Sequence, residues 1–373
     1  MNHLEFTGAL LRMYRLDRNW SQETLCSGIC TVSYLSKIEQ GKVQPNDALL
    51  QDLFGRMDIP WQTVSEEEGA IICEQIFEAV FADDRNGIER CKEEGLLRQE
   101  GLAMGVKYLD YLVLRAYCFK EVALIPEQMY PLLDNRQKCL LLLLQEQAEE
   151  AMKQYPCALT IQAAGMKAYA NGAYAQALEL LQRAYDLACQ EGYAEIMMYC
   201  QVYMANCYSD LRNIPNMLSH CKIAKRLANL LGDEELLQTI EYNIASTRIE
   251  CGDYQAGYSY FSNLIKPSVL DLHKLAICCE MLNKQQEAIR ALDIADKSAQ
   301  GLEKQMCKLV RYRLENPSYL KESAYEELLL TTFRSLQKEK SAGYARFHLS
   351  RVEEWCTANR QYRMAYEIMR DFL

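Results

Sequence analysis

The stretch SQETLCSGICTVSYLSKIEQGKVQP, residues 21–45, holds the densest run of local structural signals in the 373-residue chain. Ser21 is a helix N-cap, because its hydroxyl can accept one of the backbone N–H groups that a first helical turn leaves unpaired. Leu25 and Ile29 follow four residues apart and give that helix one apolar stripe. Gly28 falls near its end, where a residue tolerating left-handed dihedrals is favoured. A second helix is predicted from about Thr31, with Leu35 and Ile38 inward and Val32, Ser33, Tyr34 and Lys37 outward; Gly41 and Pro45 stop it. Asn46 is placed to cap the next helix, DALLQDLFGRM, on which Ala48, Leu49, Leu53 and Phe54 are expected to form one face. Upstream, Leu10, Leu11 and Tyr14 predict a first helix.

Two short helices joined by a tight turn, the second with an uncommitted outer face, have the geometry of a helix-turn-helix, whose second helix enters the major groove of DNA. The residues resemble the lambda-repressor-like, or Xre-type, DNA-binding family. The matching elements are Arg15 in helix 1, Ser21-Gln22-Glu23 opening helix 2, Ile38-Glu39-Gln40-Gly41-Lys42 closing the recognition helix, and Pro45 before helix 4. The resemblance spans roughly residues 5 to 60, with a turn one residue shorter than in many phage repressors. It implies an internal ion pair between Arg15 and Glu39, and Gln22 at a DNA phosphate. It also implies Val32, Ser33 and Lys37 facing the groove, with Tyr34 and Lys42 on the backbone. Lys37 could donate to guanine O6 and N7, and Val32 could touch a thymine methyl. The same side chains also fit an ordinary solvated helix face. Residues 1–60 carry six Lys and Arg against seven acids, a net charge of −1. Affinity for DNA rests largely on neutralised phosphates, so two copies are expected to act together, their recognition helices ~34 Å apart.

Composition limits what else the chain can be. Half its residues are hydrophobic and a quarter charged, and the formal net charge is −10, which argues against a protein coated in nucleic acid. No apolar run reaches the ~18 residues that span a bilayer, and the N-terminus lacks a basic stretch followed by an apolar core, so no membrane association and a cytoplasmic location are expected. Sixteen cysteines without any CxxC, and four histidines (His3, His220, His273, His348) without ligand spacing, predict reduced thiols and no metal or other cofactor. No catalytic motif such as GxSxG, a P-loop or HExxH is present, so no catalytic residues are assigned.

From Trp61 onward the pattern is helical throughout. Gly165, Gly172, Tyr174, Ala177, Leu181 and Ala184 form a spaced set that recurs in weakened form from Ala205, Ala245 and Ala276. Small residues let two antiparallel helices approach, and large ones fill the space between pairs. This spacing resembles the tetratricopeptide repeat. The expected organisation is therefore all-α: a helix-turn-helix domain at 1–62, an acidic linker at 63–70, and a tetratricopeptide-like right-handed α-solenoid at 71–373 serving peptide binding and dimerisation. Taking Gly165, Ala205, Ala245 and Ala276 as equivalent, helical spacing predicts a concave lining of Gln162, Met166, Tyr169, Tyr199, Val202, Asn206, Tyr242, Asn243, Ser246 and His273. Amide side chains can pair both groups of a peptide backbone, and tyrosines add apolar contact with a polar tip. Tyrosine is common throughout the chain, with 24 copies, so packing between helices is the competing explanation for each one.

A lambda-repressor-like domain followed by tetratricopeptide-like repeats resembles the quorum-sensing regulators grouped as the RRNPP family, PlcR-like and NprR-like members especially; "ICTVSYLSKIEQGKVQP" and "EYNIA" at 241–245 carry the likeness. That resemblance implies a bacterial transcription regulator, a homodimer on a double-stranded DNA operator, switched by a short oligopeptide on the concave repeat face, with Asn206 and Asn243 as backbone clamps. Two other organisations fit a helical repeat chain: a scaffold whose first domain mediates protein contacts, and a Rap-like modulator of a response regulator.

Overall fold

The computed structural model describes residues 3–61, 64–98, 100–339 and 342–370. Among the described residues it is all-α, with no strand. Four helices build the N-terminal domain: α1 (His3–Asp17), α2 (Gln22–Cys26), α3 (Val32–Glu39) and α4 (Asp47–Arg56). Side-chain caps start three of them. The backbone N–H of Thr24 donates to Ser21 Oγ at 3.0 Å, that of Tyr34 to Thr31 Oγ1 at 3.2 Å, and that of Leu49 to Asn46 Oδ1 at 2.8 Å. Each such cap stabilises its helix by about 1 kcal/mol. Phe6, Leu10, Leu25, Leu35, Ile38 and Leu53 close a small core, and Phe54 stacks on Trp61 with ring centroids 4.2 Å apart. On α4 the inward face is Leu50, Leu53 and Phe54; Ala48 is exposed and Leu49 half-buried, so the expected face was turned by one position. Asn46 fixes where the helix starts, but only contact with α1 and α2 fixes its rotation.

The body continues with α5 (Glu66–Phe81), α6 (Arg85–Glu93), α7 (Tyr108–Phe119), α8 (Asn135–Leu144), α9 (Ala148–Gln154), α10 (Ala158–Ala170), α11 (Tyr174–Glu191) and α12 (Ala194–Asp210). The expected boundary at 62–63 lies outside the described residues. The acidic run Glu66-Glu67-Glu68, expected in a linker, is instead the first turn of α5, capped by Ser65. Carboxylates are favoured there by the exposed N–H groups and the helix dipole. Next come α13 (Ile214–Leu231), α14 (Glu234–Glu250), α15 (Tyr254–Phe261), α16 (Val269–Met281), α17 (Gln285–Ala295), α18 (Gly301–Glu315), α19 (Ser323–Glu339), α20 (Ala342–Ala358) and α21 (Tyr362–Arg370).

The chain divides into two compact units, residues 1–207 and 208–373. In the first, the N-terminal domain packs on the body: Phe6 of α1 lies 6.3 Å, ring to ring, from Tyr108 of α7. The pair α10/α11 shows why the repeat needs small residues. A Cβ on Gly165 would come within 2.9 Å of Leu181 Cγ, so only glycine permits this approach, and Ala177, Ala184 and Ala188 are fully buried along the same contact. In the second unit, Ala245, Phe261, Ala276, Ala288 and Leu292 form one core and Met306, Tyr325, Phe333 and Trp355 another. These residues sit on successive helices of a repeated two-helix pattern.

Candidate functional site

The helix-turn-helix is held from behind by a buried ion pair. Arg15 Nε donates to Glu39 Oε1 at 2.6 Å and its second guanidinium nitrogen to Oε2 at 2.8 Å, while Nη1 donates to the Trp20 carbonyl at 2.7 Å. This bond to Glu39 outweighs burial and holds the guanidinium's pKa above its ordinary value. Gln22 Nε2 donates to Glu39 Oε2 at 2.9 Å. The Gln22 side chain, expected at a phosphate, is half-buried and adds a third hydrogen bond to the Glu39 carboxylate, a charged and therefore strong acceptor inside the domain.

Gly28, at φ +73°, makes the bend between α2 and α3. Arg56, from the last turn of α4, donates to the carbonyls of Leu25 and Ser27 and so fixes that bend from outside. Arg18 likewise donates to the Met57 carbonyl at 2.6 Å. Neither contact was legible in the sequence, since each joins residues 29 to 39 positions apart. On α3 the structure turns Leu35, Ile38 and Glu39 inward and leaves Val32, Ser33, Tyr34 and Lys37 exposed together on the outer side; Lys42 is exposed just beyond. Val32 is 42 % exposed, unusual for a β-branched apolar side chain in a packed domain. Ser36 and Gln40, linked by a 3.1 Å hydrogen bond on the same helix, extend this surface.

The inner-helix residues fall into two groups. Gln162, Val202 and His273 are buried, and Gln162 Nε2 reaches the Ile196 carbonyl. Tyr242 packs edge-on against Phe261 at 5.8 Å, and Tyr169 edge-on against Tyr203 at 5.6 Å. Gln162, Val202 and His273 sit in the helix contacts, and the two half-buried tyrosines pack there with one side of their rings. The cause is the choice of register: Gly165, Ala205, Ala245 and Ala276 face their partner helices, and residues three before or four after share that face. Residues adjacent in phase remain accessible. Met166, Asn206 and Asn243 are half-buried, and among the described residues neither asparagine's side-chain amide makes a hydrogen bond. Tyr199 is half-buried beneath the Arg85 guanidinium, 4.7 Å from its ring centroid, and Ser246 is buried with its hydroxyl unpartnered among the described residues.

Among the described residues no three His, Cys, Asp or Glu stand together as a metal set, and no helix is long and apolar enough to cross a membrane. No curated protein sequence matches the chain. A solved structure, Bacillus thuringiensis PlcR in complex with the peptide PapR7 and DNA, aligns at 16 % identity over 78 % of this chain and 96 % of that one, with a TM-score of 0.28. The family model for the helix-turn-helix matches residues 11–63. That span contains the capped helices α2 and α3, the Gly28 bend and the Arg15–Glu39 pair, and the N-terminal part of this chain is a helix-turn-helix domain of that family.

Proposed function

We propose that the chain is a sequence-specific DNA-binding transcription regulator that acts as a homodimer under the control of a short signalling peptide held by the inner helices of its repeats. The observation that carries the DNA-binding part is the exposed row Val32, Ser33 and Lys37 on a helix whose opposite side is anchored by a buried bidentate ion pair. A rigidly held helix with exposed small, apolar and cationic side chains suits direct readout of base edges. The peptide part is supported by the uncommitted amides of Asn206 and Asn243 and by the resemblance of the two-part organisation to RRNPP regulators. A peptide that prefers one arrangement of the repeats would shift the population of DNA-competent dimers by its differential affinity.

Lys37→Ala tests the readout. If Lys37 reads a base, the substitution should weaken binding to the cognate promoter by about 1–3 kcal/mol while leaving binding to random DNA within a few-fold. A uniform loss on both DNAs in competition binding at fixed salt would demote Lys37 to a phosphate contact. No binding to either DNA by the unaltered protein, with or without culture-derived peptides, would favour the scaffold organisation.

A further inference from the structure

In residues 208–373 a cavity of about 290 Å³ lies among α14, α15, α16, α18 and α20. Its lining has two chemistries. Ile249, Ile277, Leu309 and Phe347 are apolar; His273, His348, Arg313 and Arg351 are basic, and the carboxylates of Glu250 and Glu354 also line it. His273 is 1 % exposed, and neither of its ring nitrogens has a hydrogen-bond partner among the described residues. Its ring stands 5.4 Å from that of His348, which reaches it from α20 across 75 positions of sequence. Buried polar groups are normally paired, so an imidazole with both nitrogens unpaired beside a cavity marks a place where something else supplies the partner.

We infer that this cavity is a binding site for an organic carboxylate carrying a compact apolar body. The charged groups around the two imidazoles set the sign. Burial holds both rings neutral, together with Arg313 on α18, which acts on both imidazoles, and Arg351 on α20, which acts on His348. Lys274 on α16 also faces both, but burial pushes it well down toward its own neutral form, so the two arginines are the lasting cations. The nearby carboxylates are engaged elsewhere. Glu280 takes Arg313 in two 2.7 Å hydrogen bonds, and Glu354 takes Arg351 at 2.9 Å. Glu250 on α14, which also lines the cavity, is itself pushed toward its neutral form by burial. None of the three bonds to an imidazole, so a ligand oxygen bearing negative charge supplies the acceptor that the ring N–H lacks, in a field that favours it. The volume, at the lower end of ligand pockets at roughly 300 Å³, accommodates one compact body and not an extended peptide. The inference is therefore independent of a peptide along the inner helices. The carboxylate itself could belong to a free small acid or to the last residue of a peptide.

Titration calorimetry on the full chain separates these. The probes are N-acetyl-L-phenylalanine, its primary amide, and a pentapeptide of four alanines followed by phenylalanine with a free or an amidated C-terminus. The free acid should bind at least about tenfold more tightly than its amide, as expected when a charge-assisted hydrogen bond is lost. Binding should change little between pH 7.5 and 6.5, because the imidazole that donates its N–H is held neutral across that range and the carboxylate stays ionised. His273→Leu should abolish binding while the free protein melts no lower than the unaltered chain, since a buried unpaired ring is removed. A purely structural histidine would give the opposite pattern. His273→Gln should retain part of the affinity. Tighter binding by the free-ended peptide than by the N-acetyl acid would assign the carboxylate to a peptide end; binding of the compact acid alone would assign it to a free metabolite. No heat from any probe, or equal binding of acid and amide, would overturn the inference. The acid–amide comparison on the unaltered chain decides the matter even if neither variant folds.

Discussion

Arg15 and Glu39 lie 24 residues apart in sequence, yet they share two hydrogen bonds in the centre of the N-terminal domain, with side chains 8 % and 3 % exposed. Removing one partner leaves the other charged and buried. Arg15→Ala should therefore cost about 3–5 kcal/mol in denaturant unfolding, whereas Arg15→Met combined with Glu39→Leu should cost far less than the two single changes summed. Additive losses would mean that the two residues do not act as a pair. His348 and His273 give a second residue-scale expectation. Burial and neighbouring cations hold His273 well below the ordinary imidazole range and His348 down at about 3. The unfolded chain titrates near 6.5, so below that pH it binds protons that the folded chain does not, and stability falls as pH falls. Between pH 7.5 and 5.5 the loss is about 1.4 kcal/mol per imidazole. Glu250, pushed up by burial, has the opposite slope, while its neighbour Lys274, pushed down by burial, has the same slope as the imidazoles. Melting curves of the unaltered chain and of His348→Gln at these two pH values check this; the variant should lose about 1.4 kcal/mol less than the unaltered chain.

At the scale of elements, the contact of α10 with α11 turns on a single missing methyl. Gly165 has Leu181 Cγ 2.9 Å and Leu180 Cβ 3.3 Å from where its own Cβ would stand. Gly165→Ala improves helix propensity by nearly 1 kcal/mol on its own. The overpacking it forces costs about 1–3 kcal/mol, so the net effect should be a destabilisation, seen as a lower denaturation midpoint with an unchanged slope. A neutral or stabilising result would show that Leu181 can move aside without loss. The recognition helix illustrates the complementary case. Its start at Thr31, its inward Leu35 and Ile38 and its outward Val32, Ser33 and Lys37 were all legible, because caps and helical periodicity are local. Rotation of α4 and the bracing of the α2–α3 bend by Arg56 were not, because both depend on neighbours brought together by folding.

For the whole molecule, the balance of charge decides how DNA binding should respond to salt. Arg15, Arg18 and Arg56 are committed to contacts inside the N-terminal domain, which leaves Arg12 and Lys42 exposed to reach phosphates beside the base-reading Lys37. Two phosphates per domain predict a fall of about 12-fold in affinity between 50 and 200 mM salt for one domain, and of about 150-fold for two acting together. Equilibrium binding across that range therefore distinguishes a dimer on DNA from a single copy. The amino-acid order alone determined that this chain is helical, where most helices of the N-terminal domain begin, that Arg15 meets Glu39, and that small residues recur where helix pairs touch. Those properties arise from caps, from four-residue periodicity and from one well-marked motif. Only the tertiary structure decided which polar side chains of the repeat helices are buried, that Gln22 turns inward, and that His273 and His348 share a cavity. Each of these depends on contacts between segments far apart in sequence, where a one-position change of helix rotation exchanges a packed side chain for an exposed one.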